Sequence, residues 1–214
     1  MEFKKYFDHT ILKPEATEAD VKRICAEARE YDFASVCINP CFVSLAKKEL
    51  QGSDVKVCTV IGFPLGANTT AVKCYEAKEA VTNGADEVDM VLNIGKVKEG
   101  NYEYIAEEVA AVKEASKPAL LKVILETCLL TDEEVELASK ACVKGHADYV
   151  KTSTGFSKGG ATVHAVEIMR KTVGDKLGVK ASGGIHNKAE ALSMIEAGAS
   201  RIGASASVAI MEEE

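Results

Sequence analysis

Two stretches of this chain place a lysine directly after a valine in an apolar run and then pass into small residues. They are Val150-Lys151-Thr152-Ser153-Thr154-Gly155-Phe156 and Val179-Lys180-Ala181-Ser182-Gly183-Gly184-Ile185. Both runs read as buried strands, where an ammonium is costly to hold. The chemistry that repays such a placement is nucleophilic. An amine that is neutral part of the time can attack a carbonyl carbon and form a Schiff base. If the two strands are neighbours, the lysines lie about 5 Å apart, and the charge on one disfavours protonation of the other. The competing reading of either lysine alone is an inward ion-pair partner for Asp89 or Glu126.

The elements that must position these lysines alternate along the whole chain. Strand-like runs fall at 6–12, 34–39, 56–62, 87–93, 120–126, 149–154, 178–182 and 201–204. Helical patterns lie between them at 17–30, 42–50, 69–82, 101–115, 131–144, 161–173 and 187–197, with a short last one at 206–212. Thr17-Glu18-Ala19-Asp20 and Thr131-Asp132-Glu133-Glu134 read as capping boxes. Asn83-Gly84 and Gly198 sit where helices should stop. Strand–helix units repeated in this way predict a (β/α)8 TIM barrel, one domain over 1–214. An open doubly wound sheet is the alternative, but the Gly-x-Gly-x-x-Gly turn it commonly carries after its first strand is absent.

Strand parity points the same way. Val88, Met90 and Leu92 form one face, with Asp89 and Asn93 on the other. Leu121, Val123 and Leu125 oppose Lys122 and Glu126; Val36 and Ile38 oppose Ser35, Cys37 and Asn39. Any one of these polar residues could be a satisfied core group. Their recurrence on one side of successive strands predicts a charged pocket inside or atop the barrel, where the C-terminal strand ends of this fold carry the chemistry. Two glycine-containing loops would close it. Ser182-Gly183-Gly184-Ile185 follows the seventh strand, and Arg201-Ile202-Gly203-Ala204-Ser205-Ala206 runs from the eighth into the last helix. Loops after strands seven and eight commonly seat a phosphate.

At this point the residues resemble a known family, the deoxyribose-phosphate aldolases, which are class I aldolases. The matching pieces run nearly end to end. They are Asp8-His9-Thr10-Ile11-Leu12-Lys13-Pro14, Val36-Cys37-Ile38-Asn39-Pro40, Val60-Ile61-Gly62-Phe63-Pro64-Leu65-Gly66, Ala85-Asp86-Glu87-Val88-Asp89-Met90-Val91, Leu121-Lys122-Val123-Ile124-Leu125-Glu126-Thr127, the two lysine motifs and Arg201-Ile202-Gly203. The resemblance implies that Lys151 forms the Schiff base, that Lys180 lowers its proton affinity and assists proton transfer, and that Asp89 relays protons with Lys180 and a water. It implies phosphate or substrate binding by Gly155, Gly183, Gly184, Gly203 and Ser205, and a pocket lined by Asp8, Cys37, Lys122 and Thr154. The implied reaction is reversible cleavage of 2-deoxy-D-ribose 5-phosphate to D-glyceraldehyde 3-phosphate and acetaldehyde, with no cofactor and no metal. Three positions depart from the family pattern. His186 stands where many relatives carry arginine, Ala206 supplies no second hydroxyl, and the chain ends Met211-Glu212-Glu213-Glu214 without the tyrosine tail of some members.

Composition removes other classes. The net charge of −7 comes without a basic block, which argues against nucleic acid as partner. No apolar run approaches the roughly 20 residues that span a bilayer, and the N-terminus lacks a signal-peptide core. Seven scattered cysteines read as reduced thiols in a cytoplasmic protein. Cys37 and Cys41 could be half a zinc site, but nothing completes it. The resemblance implies a sugar phosphate and acetaldehyde as partners, and further copies of the chain in a dimer or tetramer are expected. Three functional alternatives stay open. Another Schiff-base lyase would differ in its products. A metal-dependent aldolase would need ligand spacing that His9, His146, His164 and His186 do not show. A non-catalytic sugar-phosphate binder would leave the paired lysines unexplained.

Overall fold

Eight parallel strands pair in chain order, and the last closes onto the first, in the computed structural model, which describes residues 2–213. The strands are β1 (Phe7–Ile11), β2 (Ser35–Ile38), β3 (Lys56–Ile61), β4 (Glu87–Val91), β5 (Leu120–Ile124), β6 (Tyr149–Lys151), β7 (Gly178–Ser182) and β8 (Arg201–Ala204). The helices are α1 (Glu18–Tyr31), α2 (Val43–Glu49), α3 (Thr70–Thr82), α4 (Ile94–Lys98), α5 (Tyr102–Ala115), α6 (Asp132–Lys144), α7 (Val163–Val173), α8 (Lys188–Glu196) and α9 (Ser207–Glu212). This is the (β/α)8 barrel expected from the sequence, with the short α4 added between β4 and α5.

Local chemistry sets the boundaries. Thr17 and Thr131 both form complete capping boxes. Each hydroxyl accepts from the N–H three residues on, and Asp20 or Glu134 accepts the N-cap N–H in return. Strands 2, 4 and 5 stop before Asn39, Asn93 and Glu126, so these residues lie in the loops above the strand ends. Asn93 caps α4 through the Lys96 N–H, at 3.2 Å. Strand β6 ends at Lys151 because the next residues bond sideways. The Thr152 hydroxyl donates to the Ser182 carbonyl at 3.1 Å, and the Thr154 hydroxyl donates to Glu126.

The two strand faces separate as parity predicts. Val36, Ile38, Val88, Met90, Leu92, Leu121, Val123 and Leu125 face outward into one continuous core under the helices. Inside, Leu12, Cys37, Cys58 and Val60 form a small apolar group, and Val91 and Ile124 share the strand parity of Asp89 and Lys122. Much of the remaining barrel interior is charged. Effective desolvation penalties of several kcal/mol per buried ion mean that such groups persist only when they are paired. The pairing therefore decides how the site is built.

Candidate active site

Asp89 is the hub. Its Oδ2 receives the Lys151 and Lys180 ammonium groups, each at 2.8 Å. Its Oδ1 receives Lys122 at 2.8 Å and the Cys58 thiol at 3.2 Å. Asp8 lies below and bridges Lys180 at 2.5 Å and Arg201 at 2.6 Å. Glu87 completes the network, 2.5 Å from Lys122 and 3.1 Å from Arg201. Register produces these contacts directly. Asp89 stands opposite Lys122 across β4 and β5, and Lys151 stands opposite Lys180 across β6 and β7.

Charge counting distinguishes the lysines. Three carboxylates (Asp8, Glu87, Asp89) face four cations (Lys122, Lys151, Lys180, Arg201). Lys122, Lys180 and Arg201 each contact at least two carboxylates. Lys151 contacts one, through an oxygen it shares with Lys180. Removing the Lys151 proton brings the cluster to neutrality without leaving a carboxylate short of a partner. Asp89, Lys180 and Lys122 are held towards their ionised forms. Burial works against the Asp89 carboxylate, but the Lys122, Lys151 and Lys180 ammoniums outweigh it and hold the acid well below its usual range. Burial likewise works against charge on Lys180, and Asp8 and Asp89 overcome it, raising that ammonium above the ordinary lysine value. Lys122 is raised in the same way, by Asp89 first among its charged neighbours.

Above the cluster opens a cavity of ≈ 390 Å³. Lys151 forms part of its floor and is 3 % exposed, whereas Lys122, Lys180 and Asp89 are 0 % exposed and lie beneath it. Gly183 and Gly184 wall one end with Gly203 and Ser205, and Thr154, Gly155 and Phe156 form the side. The Gly183–Gly184 turn uses left-handed backbone at both residues, φ 83° and 73°, which glycine tolerates without a Cβ penalty. The loop between β6 and α7 packs tightly on it. The Ala161 N–H donates to the Gly183 carbonyl at 2.9 Å, and a Cβ at Gly160 would stand 2.2 Å from that same oxygen. No backbone carbonyl among the described residues accepts from the N–H groups of Gly183, Gly184 or Ser205. Such free donors, converging on one end of a cavity, suit an anion.

Residues 3–210 match the model of the DeoC/LacD family aldolases. The chain belongs to that family. It is 62% identical over 211 residues to the deoxyribose-phosphate aldolase of Streptococcus suis (strain 98HAH33), covering 99% of this chain and 96% of the relative. It is 61% identical over 214 residues to the deoxyribose-phosphate aldolase of Clostridium tetani, covering 100% and 99%. Among solved structures it is similar to QR15, an aldolase, with TM-score 0.94 and 42% identity over 99% of this chain and 95% of that one. It is also similar to the deoxyribose phosphate aldolase of Aeropyrum pernix, described as a unique tetramer, with TM-score 0.88 and 34% identity over 98% and 89%.

Within this aldolase the residues singled out in the sequence divide into two tiers. Lys151, Thr154, Gly155, Gly183, Gly184, Gly203 and Ser205 line the cavity. Asp8, Cys37, Asp89, Lys122 and Lys180 lie in the buried tier below, and Asp89 is the one of them in contact with Lys151. Sequence reasoning passed over Glu87 and Arg201 as members of the ion network. Each offers a signal only in retrospect, being two residues before Asp89 and Gly203 and so on the same strand faces. Glu126, with φ 58°, accepts both the N–H and the hydroxyl of Thr154 and so fixes the loop after β6. Phe156 on that loop meets Phe63 edge-on at 5.4 Å, closing one side of the mouth.

The interior also brings together two groups of metal-ligating types, Cys37, Cys58 and Asp89, and Asp8, Cys58 and Glu87. Their carboxylates already face Lys122, Lys180 or Arg201, so an ion there would have to displace an ammonium or guanidinium. No such grouping among the described residues includes a histidine. Cys37 is buried and Cys41 exposed, so the pair of thiols does not close on a shared site.

Proposed function

We propose that this chain cleaves 2-deoxy-D-ribose 5-phosphate reversibly to D-glyceraldehyde 3-phosphate and acetaldehyde through an imine on Lys151. The observation that carries the assignment is that Lys151 is the interior lysine reaching the cavity and also the cation the charge network can spare. Its neutral amine adds to the aldehyde carbon of the open-chain sugar. Loss of water from the carbinolamine gives the protonated imine, which draws electrons as the C2–C3 bond breaks. Glyceraldehyde 3-phosphate leaves as the C3 hydroxyl gives up its proton. The remaining enamine is protonated to the acetaldehyde imine and hydrolysed. Asp89 and Lys180 serve the proton steps. Both amines sit 2.8 Å from one oxygen, so a proton passes between them through Asp89 Oδ2 with no long movement. Deoxyribose 5-phosphate supplied to the purified enzyme with borohydride tests this directly. Release of both aldehydes and a reduced adduct on Lys151 are expected; other products would favour a different Schiff-base lyase.

The phosphate is read at the far end from Lys151, by the free N–H groups of Gly183, Gly184 and Ser205. His186 supports this end with its side chain, because its N–H is held by Glu190 at 2.6 Å. Histidine is only partly charged near neutrality, and one charge-assisted hydrogen bond contributes about 1.5–3 kcal/mol. His186→Arg should therefore lower KM for deoxyribose 5-phosphate by roughly tenfold at pH 8, with little change for unphosphorylated deoxyribose. Equal effects on both sugars in steady-state kinetics would place residue 186 away from the phosphate.

The same reading includes self-association and a reducing cytoplasmic setting. Exposed Leu65 (72%), Val72 (44%) and Tyr75 (70%) on and beside α3 support contact between copies, and sedimentation velocity showing only monomer would remove it. Seven unbridged cysteines support the compartment, which cell fractionation checks. No described helix is long and apolar enough to cross a membrane.

A further inference from the structure

We propose that Lys13, on the loop after β1, is the fixed positive charge of the phosphate end of the cavity and so sets the preference for phosphorylated over neutral substrates. This inference rests on the functional reading above and deepens it. The side chains lining the cavity include two ammonium groups, Lys13 and Lys151, and the imidazole of His186. Lys151 is occupied with chemistry at the floor. Two further cations near this end, neither in the lining, are committed elsewhere. Arg201 is held by Asp8 and Glu87, and the Lys188 ammonium donates to the Glu213 carbonyl at 2.9 Å. The Lys13 ammonium forms no ion pair among the described residues.

The backbone of Lys13 is anchored while its side chain is free. Its carbonyl accepts the Asn39 side-chain amide at 3.2 Å and the Ala16 N–H at 3.1 Å. Pro14 follows and restricts Lys13 to extended conformations. The residue also borders a second hollow of ≈ 350 Å³ that shares Thr10, Ile11 and Ser205 with the first. Lys13 thus shares the lining of the first cavity with Ser205 and the Gly183–Gly184 turn, and that of the second hollow with Ser205. Of the charged groups of the second hollow, Arg23 pairs with Glu27 at 2.8 Å, Asp20 caps Thr17, and Glu15 is exposed. Asp20 feels the Lys13 charge only across solvent and forms no ion pair with it, so a dianionic phosphate bound at the glycine turn is the stronger counter-charge for Lys13.

Two variants, Lys13→Gln and Lys13→Arg, decide this, read by KM for deoxyribose 5-phosphate, kcat/KM for unphosphorylated deoxyribose, and calorimetric titration with inorganic phosphate. Lys13→Gln should lower the ratio of kcat/KM for the phosphorylated over the unphosphorylated sugar by roughly tenfold, the size of one charge-assisted hydrogen bond. It should weaken inorganic phosphate to a similar degree, and Lys13→Arg should restore both. Unchanged phosphate affinity, or equal losses on both sugars, would overturn the role of Lys13. Wild-type enzyme that traps acetaldehyde and binds phosphate but leaves deoxyribose 5-phosphate intact would instead overturn the substrate assignment, while the phosphate titration still decides Lys13.

Discussion

Lys151→Met should abolish turnover and imine trapping while leaving the barrel folded and no less stable than wild type. Removal of a covalent nucleophile costs on the order of 10⁶-fold in rate where it has been measured. The stability half of the expectation comes from the charge network. With Lys151 gone, Asp8, Glu87 and Asp89 face Lys122, Lys180 and Arg201, three against three, and Asp89 keeps two ammonium partners. Methionine of similar length fills the site with atoms that need no partner. Lys180→Met is the contrast. It takes the central ammonium from both Asp8 and Asp89, and breaking a buried pair in this way costs about 3–5 kcal/mol. Borohydride reduction with acetaldehyde followed by mass mapping reads the first half, and thermal unfolding of both variants reads the second. An adduct on another lysine with Lys151 unmodified, or equal destabilisation by the two substitutions, would remove Lys151 from its assigned place.

The two halves of that expectation differ in how far the sequence alone could reach them. Lys151 and Lys180 were legible because a lysine inside a valine-rich run breaks the local pattern, and because consecutive strands of a parallel barrel are neighbours. The helix starts at Thr17 and Thr131 were legible for an equally local reason, the reciprocal bonds of a capping box. Glu87 and Arg201 were not. Their contact joins β4 to β8 across the barrel, and a charged residue at the start of a strand reads as solvent-facing until closure brings the far strand over it. Depth was hidden as well. Parity told that Cys37 and Lys122 face inward and the resemblance put Asp8 in the pocket lining, but which tier each occupies depends on the stagger of the strands. The register Asp8 to Gly203 on one side and Ser35 on the other sets Asp8 below the cavity. The short α4 escaped because its five residues, Ile94–Lys98, leave no room for a helical period to show.

Asp89→Asn should injure both chemistry and fold, and the two injuries should separate with pH. Asparagine keeps the shape of the side chain but turns one oxygen, which accepts ammonium groups, into an NH₂ that repels them. Two carboxylates, Asp8 and Glu87, would then face four cations. Loss of the relay between Lys151 and Lys180 should slow the proton-transfer steps by about 10²–10⁴-fold, with slower accumulation of the trapped imine. Loss of the central anion should cost about 3–5 kcal/mol of stability at neutral pH. The pH dependence follows from the direction of the Asp89 shift. Its carboxyl is held well below the ordinary value in the folded state, so its stabilising contribution is complete above the unfolded value near 3.9 and is lost as pH falls through the folded one. The stability gap between wild type and Asp89→Asn should therefore stay constant from about pH 5 to pH 9 and narrow only below about pH 4. Denaturant titrations across that range measure it. A gap that closes near neutrality would mean that Asp89 is protonated there, and the ionic hub beneath Lys151 would have to be replaced by a neutral one.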